Sequence, residues 1–105
     1  MIPKLDFRIT DRDLLRLFTE DSGPAKGKFP PRVIERFFAA MDDVLAANEI
    51  RDLSNIRGYN VERVPRECEG CYSLRLGSQF RLIFRIDSRS EVDSVFEVVD
   101  VRDYH

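Results

Sequence analysis

The sequence predicts an α+β domain in which two helices pack on one face of a small antiparallel sheet. Helical spacing of apolar residues is confined to the first half of the chain, and strand-like alternation dominates the second half. The elements follow the order β-α-α-β-β-β-β, and separate blocks of helices and strands are typical of α+β folds. With 105 residues, 43% of them apolar, the chain can build one core, so we expect residues 1–105 to form a single domain.

The clearest stretch is a hairpin over residues 71–86, which reads CYSLRLGSQFRLIFRI. The Gly-Ser pair at its centre suits a tight turn, because glycine accepts the positive φ that such turns need. Side chains alternate across a strand, so the apolar residues at the even positions of 80–86 face a core. Arg81 and Arg85 then point to the other face, where a rigid strand can present them to an anion.

The first half of the chain predicts one strand and two helices. Residues 5–9 alternate and indicate a short strand, after which Thr10 and Asp11 are natural helix N-caps. The glycine-containing segment 23–29 predicts a mobile connection. The second helix begins at the proline pair 30–31, since proline suits the first helical position, and its apolar stripe continues to about Asn48.

The second half predicts four strands. Residues 50–57 form a helical turn or loop, and residues 59–64 form the first strand, which a proline ends. The hairpin follows, then a polar turn over residues 87–93 and a last strand over residues 95–101. Two consecutive valines at 98–99 break the alternation, which indicates a β-bulge. Because the helices cover one face of the sheet, we expect the other face to be open.

Charge is unevenly distributed along the chain. The formal net charge of −2 argues against a nucleic-acid binder, because phosphate binding normally shows as a basic excess. However, residues 51–85 contain seven arginines and four acids, whereas residues 86–105 contain two arginines and six acids. No lysine follows Lys28, so the cations of the second half are arginines, which bind phosphate in bidentate geometry. A genome rich in arginine codons explains that bias equally well.

Cys68 and Cys71 form a Cys-x-x-Cys motif. A tetrahedral zinc site needs more ligands than these two cysteines and the single histidine of the chain can supply. A redox pair would sit at a helix N-terminus, whereas this pair opens a strand. We therefore expect two reduced thiols in a turn and no metal site. The chain lacks an apolar run of about 18 residues and an N-terminal secretory signal, so a cytoplasmic location is predicted.

The chain ends on its only histidine, His105. An unperturbed imidazole titrates near pH ~6.5 and therefore suits proton transfer at neutral pH. Taken alone, a terminal histidine is more often a solvated tail residue than a catalytic one. Its meaning depends on the motifs that accompany it.

Three motifs of the second half together resemble the HigB branch of the RelE/ParE superfamily, the toxins of bacterial toxin-antitoxin modules. Members of that branch carry a G-x-[YW]-S-[IL]-R hairpin, an aromatic-Arg-[IL]-x-F strand and a C-terminal Asp-Tyr-His. The matching residues in this chain are Gly70, Tyr72, Ser73, Leu74, Arg75, Phe80, Arg81, Leu82, Phe84, Asp103, Tyr104 and His105. The resemblance is strongest over residues 61–105.

The resemblance implies a ribosome-dependent endoribonuclease that cleaves mRNA in the ribosomal A site. A ribose 2′-OH attacks the adjacent phosphate, which gives a cyclic phosphate and a free 5′-OH without a metal or cofactor. The implied partners are a HigA-like helix-turn-helix antitoxin, the ribosome and mRNA. Two alternatives remain open: a ParE-like inhibitor of DNA gyrase, and an inactive homologue retained for antitoxin binding. The terminal Asp-Tyr-His favours the enzyme, since a surface-blocking inhibitor needs no proton-transfer group.

The resemblance also implies roles for individual residues. His105 is the general acid at the leaving 5′-oxygen, Tyr104 stacks on a base or binds phosphate, and Asp103 orients the imidazole. Arg81 contacts the scissile phosphate, and Arg75 is a second phosphate ligand.

Glu62 departs from the HigB pattern. Many members carry a histidine eleven residues before the hairpin serine, and in this chain that position, counted back from Ser73, is Glu62. YoeB toxins have a glutamate there that acts as the general base, so we expect Glu62 to be the base. The alternative is a surface glutamate paired with Arg63 or Arg81. Arg63 and Arg85 complete the expected RNA-binding residues.

Overall fold

The computed structural model describes residues 6–47, 49–88 and 94–103. Within these ranges the chain forms four helices and five strands. In chain order they are β1 (Asp6–Ile9), α1 (Arg12–Glu20), α2 (Pro24–Lys28), α3 (Pro31–Ala46), α4 (Ile50–Ser54), β2 (Glu62–Arg63), β3 (Cys71–Arg75), β4 (Phe80–Ser88) and β5 (Ser94–Asp103).

The five strands form one mixed sheet in the order β1-β5-β4-β3-β2. β1 lies parallel to β5, with Phe7 opposite Phe96, and the other neighbouring pairs are antiparallel. The α+β class is confirmed, but the prediction of a purely antiparallel sheet was wrong. β1 and β5 are the first and last elements, so the whole intervening chain serves as the long connection that parallel neighbours require.

The helical half contains more helix than predicted. α1 begins as expected, because Leu14 N donates to the Asp11 side chain at 3.0 Å. The prediction of a mobile connection over residues 23–29 was wrong. α2 occupies most of this segment, with Pro24 in its first turn. α4 takes the helical alternative that was left open for residues 50–57. None of the described helices combines the length and apolarity that crossing a membrane requires.

The core lies between the helices and one face of the sheet. Phe84 on β4 and Phe96 on β5 stack with ring centroids 4.5 Å apart. α3 contributes Phe37 and Met41, and all four side chains are almost fully buried. Burial of a side chain of this size stabilises the fold by about 1.5–3 kcal/mol. The predicted core face of the hairpin is therefore confirmed.

The hairpin and the last strand follow the predicted alternation. Leu76 N donates to Phe80 O at 2.8 Å and closes the turn, in which Gly77 has the expected positive φ of 122°. In the pairing of β4 with β5 the register shifts by one residue at Val99, which confirms the predicted β-bulge. β2 is shorter than the strand predicted over residues 59–64.

β4 continues through Ser88 into the polar turn that was predicted over residues 87–93. The rest of that turn, residues 89–93, lies outside the described part of the chain.

The sheet face away from the helices is less open than predicted, because residues 64–70 cross it. We call these residues the crossing segment. The Glu67 carboxylate lies 3.1 Å from Nε of Arg102 on β5, although β3 and β4 separate β2 from β5. Ile83 points to this face and is fully buried. The segment therefore divides the face into two ends.

A disulfide between Cys68 and Cys71 ties the crossing segment to β3. The prediction of two reduced thiols was wrong. The turn brings the two Cα atoms to 5.2 Å, which lies within the range that a disulfide spans. The spacing of the cysteines in the sequence does not reveal how tightly this turn closes.

Candidate active site

One end of the face away from the helices is built around Arg81. Its guanidinium donates from Nη1 to Ser73 Oγ at 2.8 Å and to the Asn60 carbonyl at 3.3 Å. Oε2 of Glu62 lies 3.7 Å from the same nitrogen. We call Arg81, Ser73 and Glu62 the Arg81 cluster. Arg81 is only 9% exposed, so three neighbouring strands hold a nearly buried cation in a fixed position.

Glu62 is the exposed member of this cluster. Its side chain is 54% exposed, and its second carboxylate oxygen accepts a hydrogen bond from Asn60 Nδ2 at 3.2 Å. Glu62 is the cross-strand partner of Ser73, which explains why it reaches Arg81 one strand further on. The pairing with Arg81 that was weighed as an alternative is thus present, and it keeps the carboxylate at the surface, where a ligand can reach it.

Arg75 extends the Arg81 cluster along β3. It is the cross-strand partner of Arg81 and is exposed. A cleft of about 250 Å³ is lined by Glu62, Arg75 and Arg81 together with the hairpin turn. The structure therefore brings these three predicted site residues together in one concave site.

The other predicted catalytic residues lie at the end of the chain. Tyr104 and His105 lie outside the described residues. Asp103 ends β5 as the cross-strand partner of Phe80. Its carboxylate accepts a hydrogen bond from Gln79 Nε2 at 2.9 Å.

Arg63 does not join the Arg81 cluster. It is exposed and pairs with Tyr72, so its strand position faces away from Glu62. A second cavity, of about 520 Å³, lies between β2, the crossing segment and the end of β5. Its lining residues are Arg63, Val64, Pro65, Arg66, Glu67 and Asp103.

Arg85 occupies the other end of the face, beside a buried carboxylate. Glu97 on β5 is 6% exposed and accepts hydrogen bonds from Arg85 Nη2 at 2.6 Å and from Arg8 Nε at 3.2 Å. We call Glu97, Arg8 and Arg85 the Glu97 cluster. Burial alone would raise the pKa of Glu97, but the two guanidinium groups outweigh burial and hold that pKa below its usual range.

Several residues that organise this face do not stand out in the sequence. Ser73 was noted only as part of a motif, although its hydroxyl positions Arg81. Glu97 and Arg8 are far apart in the sequence, and only the parallel pairing of β1 with β5 brings them together. No local pattern predicts that pairing.

We also searched the described ranges for side chains that could bind a metal ion. No three side chains of histidine, cysteine, aspartate or glutamate lie close enough together there to hold a metal ion.

Comparison with solved structures defines the class of fold. The structure of a YoeB/ParE toxin from Agrobacterium tumefaciens matches with a TM-score of 0.56 at 17% identity, covering 97% of this chain and 99% of that one. The YoeB-YefM complex from Staphylococcus aureus matches with a TM-score of 0.56 at 12% identity, covering 97% and 98%. Identity this low shows the fold alone: the protein has the fold of YoeB/ParE toxins.

The sequence then places the protein within a family. Residues 7–105 match the HigB-like toxins, described as the RelE-like toxin of the type II toxin-antitoxin system HigB. The chain belongs to this family and is a type II toxin, which confirms the predicted membership of the RelE/ParE superfamily. No curated protein sequence matches the chain.

Proposed function

We propose that this toxin is a ribosome-dependent endoribonuclease that cleaves mRNA by attack of a ribose 2′-OH on the adjacent phosphate. The observation that carries the proposal is the Arg81 cluster, in which a cation fixed by strands lies beside a half-exposed carboxylate in one cleft. Such a pair supplies two of the groups that the reaction needs, a cation for phosphate oxygens and a base for the 2′-OH.

Each proposed catalytic residue has its own role in this reaction. Glu62 accepts the proton of the 2′-OH as the 2′-oxygen bonds to phosphorus, and Arg81 stabilises the negative charge on the non-bridging oxygens. His105 donates a proton to the 5′-oxygen as its bond to phosphorus breaks. Tyr104 packs on a base, and Asp103 orients the imidazole. Base, cation and acid together make a metal unnecessary for this step.

The proposed RNA-binding residues differ in how well the structure supports them. Arg75 shares the cleft of Arg81, which favours a contact with a neighbouring phosphate. Arg63 lines the larger cavity next to the crossing segment. Arg85 is held by Glu97 at the other end of the face and has the weakest support.

The family also suggests where the toxin acts and what restrains it. A toxin of a type II toxin-antitoxin system has an antitoxin, and we propose a HigA-like protein with a helix-turn-helix domain as the partner. Ribosomes and mRNA are the proposed targets, so the proposed site of action is the cytoplasm.

The test is cleavage of a defined message on purified ribosomes, with the cut sites mapped by primer extension. The wild-type toxin should cut ribosome-bound message and leave a cyclic phosphate. Glu62→Gln should lower the rate by about 10²- to 10⁴-fold, because a positioned base is lost. His105→Ala should have an effect of the same order. The Gln variant changes one exposed carboxylate, so its fold should be intact by circular dichroism.

The matched control is Glu20→Gln, which removes an exposed carboxylate on α1, a helix that contributes no residue to this cleft. It should cleave at the wild-type rate. A wild-type toxin that leaves ribosome-bound message intact but blocks supercoiling by DNA gyrase would overturn the proposal in favour of gyrase inhibition. Full activity of Glu62→Gln would remove the base assignment and keep the reaction.

A further inference from the structure

Three arginines from different elements converge beside the candidate active site. A cleft of about 140 Å³ is lined by Arg36 of α3, Arg57 of the turn after α4, and Arg75 of β3. Ala39, Gly58 and Tyr59 complete the lining. We call this the arginine cleft. All three arginines are exposed.

The charge of the arginine cleft is not neutralised by its surroundings. Among the described residues, none of the three arginines forms an ion pair, whereas Arg8, Arg81, Arg85 and Arg102 each contact a carboxylate. Tyr59, which lines the cleft, donates its hydroxyl hydrogen bond to the carboxylate of Asp43. A chain with a net charge of −2 thus keeps three unpaired cations in one place.

The arginine cleft is continuous with the candidate active site. Arg75 lines both the arginine cleft and the cleft of Glu62 and Arg81. Arg75 and Arg81 face each other across neighbouring strands, which places their Cβ atoms about 5 Å apart. A ligand whose charged group lies on Arg81 can therefore extend past Arg75 to Arg36 and Arg57.

We propose that the arginine cleft binds the phosphodiester backbone of RNA beyond the linkage held at Arg81. Guanidinium groups carried by a helix, a turn and a strand present planar donors around one cleft, which suits phosphate oxygens. The half-buried ring of Tyr59 adds an aromatic wall, and basic grooves with aromatic side chains are typical of single-strand binding. The identification of the ligand as RNA rests on the proposed function.

RNA fits this surface better than an acidic protein segment does. A protein partner would need no continuity with the catalytic groups, whereas an RNA strand that is cut at Arg81 must pass along one side of it. The cleft occupies one such side. The RNA has two sources, the message itself and ribosomal RNA, which share the same phosphodiester chemistry.

The test uses the full chain and measures binding rather than cleavage. Affinity for a single-stranded RNA oligonucleotide is measured by fluorescence anisotropy over a range of salt concentrations, and affinity for vacant ribosomes is measured by co-sedimentation. The double variant Arg36→Ala/Arg57→Ala should bind RNA about tenfold more weakly than the wild type, or weaker still. For single-stranded RNA, the slope of log affinity against log salt concentration should become shallower by about 1.4, because two phosphate contacts are lost.

The matched control is Arg12→Ala/Arg16→Ala, which removes the same charge from the exposed surface of α1. It should keep the affinity and salt slope of the wild type, apart from the small change caused by net charge. Loss of oligonucleotide binding in the cleft variant identifies the message as the ligand. Loss confined to vacant ribosomes identifies ribosomal RNA.

The inference is overturned if the cleft variant and the control variant bind both probes equally. It is also overturned, in favour of a protein ligand, if the cleft variant binds RNA normally but no longer binds its antitoxin. The proposed function fails separately: a wild-type toxin that binds RNA through the cleft and yet leaves ribosome-bound message intact refutes only the nuclease.

Discussion

The two ends of the face away from the helices use the same two groups in opposite ways. In the Arg81 cluster the cation is buried, at 9% exposure, and the carboxylate of Glu62 is half exposed. In the Glu97 cluster the carboxylate is buried, at 6% exposure, and Arg8 and Arg85 are half exposed. The pairing alone does not distinguish the two sites; the difference lies in which partner water can reach.

This difference separates a structural role from a chemical one. Glu97 is bonded by one arginine from β1 and another from β4, so it joins three strands and its own oxygens are occupied. Glu62 contacts Arg81 only at 3.7 Å and stays accessible, so it can take a proton from a ligand. We infer that the Glu97 cluster stabilises the sheet and that the Arg81 cluster meets the substrate.

Among the arginine substitutions, the loss of Arg81 has the largest expected effect on activity. Arg81→Ala should lower the rate of message cleavage by about 10²- to 10³-fold, because a cation that stabilises the transition state is lost. Arg85→Ala should lower the rate much less, because the carboxylate of Glu97 holds this arginine at the other end of the face. Both rates are measured on ribosome-bound message.

The Arg81→Ala variant also needs a test of its fold. The Ser73 hydroxyl would lose its partner in a buried position, which costs about 1–3 kcal/mol of unfolding free energy. Arg81→Lys keeps the charge and loses only the planar fork, so it serves as the second variant. If Arg85→Ala lowers activity as much as either variant of Arg81, the division of roles between the two clusters is wrong.

Glu97→Gln should reverse this pattern, with a loss of stability and little loss of activity. Hydrogen bonds to charged groups contribute about 1.5–3 kcal/mol, and this variant weakens those that Glu97 accepts from Arg8 and Arg85. Glu62→Gln should cost less than about 1 kcal/mol, because its carboxylate is half exposed. Urea unfolding of both variants gives the comparison.

The pH dependence of stability sharpens the same prediction. The folded protein lowers the pKa of Glu97, so it favours the ionised form relative to the unfolded chain, where the carboxyl has its ordinary pKa. The stabilisation is therefore complete above that unfolded pKa and is lost as the pH falls through the lower folded value. Glu97→Gln should show a shallower loss of stability in this acid range. An unchanged slope would show that other carboxylates dominate.

Much of the fold could be predicted from local patterns. The alternation of β4, the N-cap at Asp11 and the bulge at Val99 each follow from a few neighbouring residues. The parallel pairing of β1 with β5 could not, since strand direction depends on contacts between the two ends of the chain. The path of the crossing segment was missed for the same reason.

The candidate site was predictable in its residues but not in their surroundings. The motifs indicated Arg81, Arg75 and Glu62, and the structure places all three in one cleft. The near burial of Arg81 was not foreseen, because it depends on Ser73 and on the carbonyl of Asn60. The roles of Tyr104 and His105 stay predictions, since both lie outside the described residues.

The smallest expected effect tests the segment that lies between the two clusters. Glu67 of the crossing segment pairs with Arg102, whose side chain is more than half exposed. Glu67→Gln should lower the unfolding free energy by about 1 kcal/mol or less, because pairs with an exposed partner contribute little. The difference from wild type should shrink further in high salt, which screens exposed charges.

Urea unfolding at low and high salt measures this effect, with Glu69→Gln as the matched control in the same segment. Glu69 is exposed, so its substitution should change stability even less. A loss from Glu67→Gln as large as that from Glu97→Gln would contradict the comparison, since it would make the crossing segment as important to the sheet as the buried carboxylate. A small, salt-sensitive loss would support the comparison, because it would show that the buried Glu97 contributes more to the sheet than the half-exposed pair of Glu67 and Arg102.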